Sequence, residues 1–117
     1  MLTMKKLEII IRPENLETLK QILSAHGVSG MTLLSAMGAG NQHGEKDVTQ
    51  LQGGNFHINL LPKIYIITYV KDISINDLLV DIHESLTTGD VGDGKVVVSA
   101  LEDAMRIRTG ERGEKAL

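Results

Sequence analysis

The chain has 117 residues, no cysteine and a formal net charge of -3, with 12 Lys and Arg against 15 Asp and Glu. A single domain spanning 1–117 is the expectation at this length, and the absence of thiols removes disulfides, thiolate catalysis and thiolate metal sites together. The cations are spread along the chain instead of clustered, so the phosphate-backbone attraction on which nucleic-acid binders rely is missing, and no nucleic-acid partner is expected.

A domain of this size buries only about two-thirds of its unfolded surface, so association into an oligomer would add stability. The opening MLTMKKLEIIIRPE contains a very short apolar run closed by Arg12 and Glu14. It is neither a signal peptide nor a membrane span, and the protein is read as cytoplasmic, without direct membrane insertion.

Leu7, Ile9 and Ile11 alternate with Glu8 and Ile10, which predicts a first strand stopped by Pro13. Pro13 sits at a helix start, and Leu16, Leu19, Ile22, Leu23 and His26 recur at helical spacing until Gly27 offers a stop. From Met31 to Met37 the chain alternates again, giving a second strand that runs into Gly38-Ala39-Gly40. The stretch from Asn41 to Asn59 shows neither period, is rich in glycine and amides, and reads as a mobile loop over about 40–60. A third strand covers Leu60 to Val70, with the β-rich run IYIITYV after Pro62-Lys63. Ser74 is placed to cap a second helix with Asp77 three residues on, and Ile75, Leu78, Leu79, Ile82 and Leu86 form its apolar stripe. The turn TTGDVGDGK leads into a fourth strand, KVVVSAL, and the tail over about 102–117 is short, charged and partly extended.

The order β-α-β-β-α-β predicts an α+β, ferredoxin-like fold: an antiparallel sheet with two helices on one face. The opposite face needs another cover. A homotrimer turning those faces inward is the preferred oligomer, although the pattern alone does not fix the number three.

Gly89-Asp90-Val91-Gly92-Asp93-Gly94-Lys95 has the G-x-x-x-x-G-K spacing of a Walker A loop. The context is inverted, since this segment leaves a helix, enters a strand, and carries Val96 where Ser or Thr would hold magnesium. What survives is the physics of the turn: glycines let backbone N–H groups converge on an anion, and Lys95 adds a point charge. An ordinary helix-to-strand turn with a solvated lysine is an equal alternative for this segment taken alone. In Arg106-Ile107-Arg108-Thr109-Gly110, an extended chain would throw both guanidinium groups to one side, an arrangement suited to polyphosphate, the alternative being a solvated charged terminus. The histidines at 26, 43, 57 and 83 show no i, i+4 pairing and no carboxylate at ligand spacing, so no protein-built metal site is expected. No nucleophile has a base placed beside it, and an enzyme is not expected.

The strings RPENLETLKQIL, GVSGMT, LLPK, TGDVGDGKVVV and RIRTGERGEKAL together resemble the PII signal proteins, the nitrogen regulatory P-II family, along almost the whole chain. The resemblance implies a trimer of ferredoxin-like subunits with sites in the clefts between neighbours, contested by ATP and ADP. By position, Gly30, Met31 and Thr32 match the family's adenine-contacting segment, and Gly38 the start of the loop near the ribose and phosphates. Gly92, Asp93, Gly94 and Lys95 match the phosphate-binding turn, Arg106 and Arg108 the phosphate-reaching arginines, and Thr88 a threonine near the nucleotide. Gln42 and Lys63 match the Gln and Lys that help hold magnesium-ATP and 2-oxoglutarate, which leaves a 2-oxoglutarate site open.

The loop departs from the family pattern. Ala39 and Asn41 replace an aromatic residue and an Arg, Gln52 stands for the loop-tip Arg that plugs ammonium channels, and Ile67 for an acidic residue. Phe56 occupies the place of the modifiable tyrosine and has no hydroxyl, which excludes uridylylation there. The expectation is a ligand-driven sensor whose loop contacts a transporter or metabolic enzyme. A slow nucleotide hydrolase and a 2-oxoglutarate-sensing nitrogen regulator are the alternatives.

Overall fold

The computed structural model describes residues 4–39, 60–71 and 75–117, with the backbone alone at 49–50 and 57–58. The expected cap Ser74, and Asn41, Gln42, Gln52 and Phe56 of the long segment, lie outside the described residues.

Strand β1 (Met4–Ile11) buries Leu7, Ile9 and Ile11, the positions picked out by alternation. A single 3-10 turn at Pro13–Asn15 leads into α1 (Leu16–Ala25), which buries Leu19 and Leu23 one turn apart. The helix ends in a Schellman motif: Val28 N–H donates to Leu23 O at 2.9 Å, Gly27 N–H to Ser24 O at 3.0 Å, and Gly27 takes the left-handed φ of +80° that this stop requires. The sequence signal at Gly27 therefore has a physical basis.

Strands β2 (Thr32–Ala39), β3 (Thr49–Gln50), β4 (His57–Ile58) and β5 (Leu60–Val70) follow, then α2 (Ile75–Leu86) and β6 (Gly94–Leu101). The main sheet has the order β2-β5-β1-β6, antiparallel throughout, which is the expected ferredoxin-like α+β arrangement. Strands β3 and β4 form a separate ladder with Thr49 opposite Ile58 and Gln50 opposite His57. The segment expected to carry no regular structure thus holds one short antiparallel pair, since two-residue strands are too short to write a period into sequence.

Both helices cover one sheet face. Leu19 and Leu23 of α1 and Leu78, Ile82 and Leu86 of α2 join Leu7, Ile9, Ile11 and Ile66 in one buried cluster. Each fully buried Leu or Ile contributes about 1.5–3 kcal/mol, and these positions hold the sheet to its helical layer. The helices are also tied to each other by His26 Nε2 and Asp81 Oδ2, 2.5 Å apart.

Among the described residues, no element covers the opposite face. Register places Leu34, Tyr65, Ile10 and Lys95 in one row across this face and Thr32, Ile67, Glu8 and Val97 in the next. Leu34, Tyr69 and Val97, on three different strands of this face, are exposed large side chains. Tyr65 donates its hydroxyl to Glu8, whose other carboxylate oxygen lies 3.2 Å from the Lys6 ammonium. No helix among the described residues is long and apolar enough to cross a membrane.

Candidate functional site at the glycine turn

The turn from Thr88 to Gly94 joins α2 to β6 and is closed on itself. Asp93 accepts from the Thr88 hydroxyl at 2.5 Å and from the Thr88 backbone N–H at 2.7 Å, so one carboxylate spans the turn. These hydrogen bonds, the Thr88 hydroxyl first, hold the Asp93 carboxyl below its ordinary value, with Arg12 adding attraction and desolvation opposing. Gly89, Gly92 and Gly94 have φ of +82°, +93° and +111°. Gly94 has a second reason to be glycine: a Cβ there would lie 1.9 Å from the carbonyl oxygen of Ile10.

Two cations grip the turn from below. Arg12 follows Ile11 on β1 and Lys63 precedes Ile64 on β5, and Ile11 and Ile64 are register partners. Arg12 Nη2 donates to Val91 O at 3.0 Å, its Nε stands 3.7 Å from Asp93 Oδ1, and Lys63 Nζ donates to Gly92 O at 2.7 Å. Lys63 is buried, with its stem under Gly38, where a Cβ would come within 3.1 Å of Lys63 Cγ. Lys95 is different: it is exposed, on the open face, with no partner among the described residues. On the helical side of the turn a cleft of about 340 Å³ opens, with Asp93, Gly94 and Lys95 on one rim and Leu79, Ile82 and Leu86 on its apolar wall.

The tail is extended only in part, and it turns back on itself just after Arg106. Met105 bridges Arg112, Arg106 N–H donates to Glu111 O at 2.9 Å, Gly110 N–H donates to Arg106 O at 2.7 Å, and residues 107–109 form the turn between them. Arg106 to Gly110 is therefore not the extended run expected to put both guanidinium groups on one side: a tight hairpin with Gly110 at φ +76° breaks the two-residue period. Arg106 donates to Glu111 Oε1 at 3.4 Å and Leu117 O at 3.3 Å, whereas Arg108 is exposed without a partner among the described residues. Asp103 organises the base of the hairpin, accepting from Arg112 and from the amides of Ala104 (2.8 Å) and Gly113 (3.2 Å).

Comparison with known proteins settles the lineage. The family model for nitrogen regulatory protein P-II matches residues 4–111. The chain belongs to the PII family. It is 42% identical over 117 residues to nitrogen regulatory protein P-II 2 of Methanothermobacter thermautotrophicus, covering 100% of both chains. The solved structure of B. subtilis GlnK matches with a TM-score of 0.79 at 34% identity, over 98% of this chain and 99% of that one. A B. subtilis GlnK–ATP complex matches with a TM-score of 0.79 at 32% identity, over 98% of this chain and 96% of that one.

The residues expected to form one PII site fall into two groups within a single chain. Gly38, Lys63, Thr88 and the turn through Lys95 meet at the sheet end where β1 finishes. Gly30, Met31 and Thr32 lie where β2 begins, with Gly30 O accepting the Thr68 hydroxyl and Met31 packed on the core, and Arg106 and Arg108 lie beyond the far end of β6. Gln42 lies outside the described residues. Arg12 was missed by sequence reasoning. Its only signal was a position next to Pro13 at a strand end, which says nothing of a turn 79 residues later.

Proposed function

We propose that this PII protein is a non-enzymatic signalling trimer that binds ATP or ADP where neighbouring copies meet and reports to a transporter or metabolic enzyme through the segment at about 40–60. The observation that carries this reading is the stapled glycine turn ending in Lys95, which has no partner among the described residues and lies on the sheet face that they leave open. A turn of this kind offers backbone N–H groups and one cation to a polyphosphate. The ATP-bound state of the similar B. subtilis GlnK supports adenine nucleotide as the ligand.

Distance supports a shared site. Strand β6 has eight residues between the turn and the tail, a span of roughly 25 Å at about 3.3 Å per residue. A pocket that uses Lys95 together with Arg106 and Arg108 therefore draws them from different copies, with Gly30, Met31 and Thr32 supplied from the same neighbour as the arginines. The exposed Leu34, Tyr69 and Val97 on the open face support a homotrimer by giving that face a reason to be covered. Phe56 has no hydroxyl to modify, so the reading is of switching by ligand alone in the cytoplasm.

Calorimetry with ATP, ADP and AMP tests the core claim, and no heat from any of them overturns it. Mixing a Lys95→Ala protein with an Arg106→Ala/Arg108→Ala protein tests the sharing, because mixed trimers regain some intact sites only where the two groups come from different chains. A second reading, with 2-oxoglutarate as a further ligand, is favoured by the Lys63 ammonium at the turn. A 2-oxoglutarate titration with and without magnesium-ATP checks it, Gln42 and Lys63 being the residues that would serve the magnesium-ATP complex. Phosphate release above that of Lys95→Ala would support slow hydrolysis instead.

A further inference from the structure

We propose that Arg12 is a positioning residue for the nucleotide's phosphates: it fixes the direction of the turn's peptide planes so that the amides of Gly92 and Asp93 face the ligand. The inference rests on the reading of the turn as a phosphate site and assigns the residue that prepares it.

A trans peptide is planar, with its C=O and N–H pointing in opposite directions. Arg12 Nη2 holds the Val91 carbonyl at 3.0 Å, so the N–H of Gly92, in the same plane, is turned away from Arg12. Lys63 Nζ holds the next carbonyl, that of Gly92, at 2.7 Å, so the N–H of Asp93 is turned away from the buried lysine. Two consecutive carbonyls are thus drawn toward two cations placed side by side on neighbouring strands. Neither released amide donates to a backbone carbonyl among the described residues. Consecutive amides displayed in this manner form an anion-binding concavity, and the φ of +93° at Gly92 is the left-handed step such a nest uses.

Arg12 also deals with Asp93, one of the two carboxylates of the turn that would oppose phosphate. The Asp93 carboxylate is in the turn itself, and an unpaired carboxylate would repel an incoming anion. Its Oδ1 lies 3.7 Å from Arg12 Nε and takes the Thr88 hydroxyl at 2.5 Å, so its charge is drawn back into the turn. The Arg12 Nε is itself buried and has no hydrogen-bond partner, which leaves Asp93 as its electrostatic counterpart. Guanidinium suits this double task because its several donors lie in one rigid plane.

The test compares ATP affinity of the full-length protein with that of Arg12→Met and Arg12→Lys, alongside gel filtration for assembly and urea unfolding. The expected result is about a tenfold weaker Kd for ATP in Arg12→Met, with Arg12→Lys recovering to within about threefold because an ammonium still donates to Val91 O. Equal ATP affinity in Arg12→Met and the parent overturns the inference while leaving the nucleotide site standing. Absence of ATP binding by the parent protein overturns both. Should Arg12→Met not fold, the ¹⁵N–¹H resonances of Gly92 and Asp93 in the parent protein decide: shifts at both amides on adding ATP support the outward-facing nest, and unmoved resonances overturn it.

Discussion

Thr88 and Asp93 clasp the two ends of the glycine turn through a hydroxyl and an amide that converge on one carboxylate. Because these bonds lower the Asp93 carboxyl below its ordinary value, their stabilisation is fully present above the unfolded value of about 3.9 and is lost as pH falls through the lower folded value. Thr88→Val is expected to move the Asp93 titration, followed by carboxyl ¹³C NMR, upward toward that ordinary value. The stability gap between variant and parent should be widest above pH ~4 and close in more acid solution.

The Tyr65–Glu8 pair on the open face has the opposite sign. The hydrogen bond to Glu8 raises the Tyr65 phenol above its ordinary value, so its contribution is present below about pH 10 and lost as pH rises through the raised value. An absorbance titration of phenolate formation should show a late-ionising tyrosine that disappears in Tyr65→Phe. Loss in Tyr65→Phe of a phenol that ionises at the ordinary value of about 10 would mean that the phenol and Glu8 are not bonded in solution.

Gly94→Ala should cost about 3 kcal/mol in urea unfolding, because its Cβ would enter the Ile10 carbonyl at the first pairing of β6 and the backbone itself would have to move. Gly89→Ala makes the control: it shares the left-handed φ but opens onto empty space. Its expected cost is about 1 kcal/mol, the backbone penalty alone.

The His26–Asp81 contact joins the two helices at their outer edge, with the Asp81 side chain 51% exposed. A double-mutant cycle of His26→Gln and Asp81→Ala should give a coupling of about 0.5 kcal/mol, within the range of exposed pairs. A coupling of zero would assign the helix pairing to the apolar cluster alone.

Leu34→Asp puts a charge on the edge strand β2 of the open sheet face, away from the helical core and the turn. If the proposed trimer forms through this face, light scattering should show its loss, with the far-UV circular dichroism of the subunit kept. A variant that stays fully trimeric would move the interface to another surface.

The strands and helices were legible because each writes its burial as a period. Leu7, Ile9 and Ile11 alternate, Leu19 and Leu23 repeat at one helical turn, and all five lie in the core. The glycine turn was legible as punctuation, and its left-handed glycines follow from that. The tail was not, because RIRTG reads equally as strand or hairpin until Arg106 N–H finds Glu111 O. Arg12 was not legible either, since its role depends on which turn the sheet order carries beside β1, and that is a property of the assembled fold.

Lys63 runs beneath Gly38 and ends on Gly92. The exit of β2, from which the long segment departs, and the turn proposed to meet the ligand are therefore registered on a single aliphatic stem, like two pans resting on one beam. A methyl group at Gly38 would have to displace that stem by a few tenths of an ångström, so Gly38→Ala should shift the Gly92 carbonyl environment without any substitution at the turn. Distance along the chain is no insulation here: one side chain touches both the turn and the strand end where the segment begins.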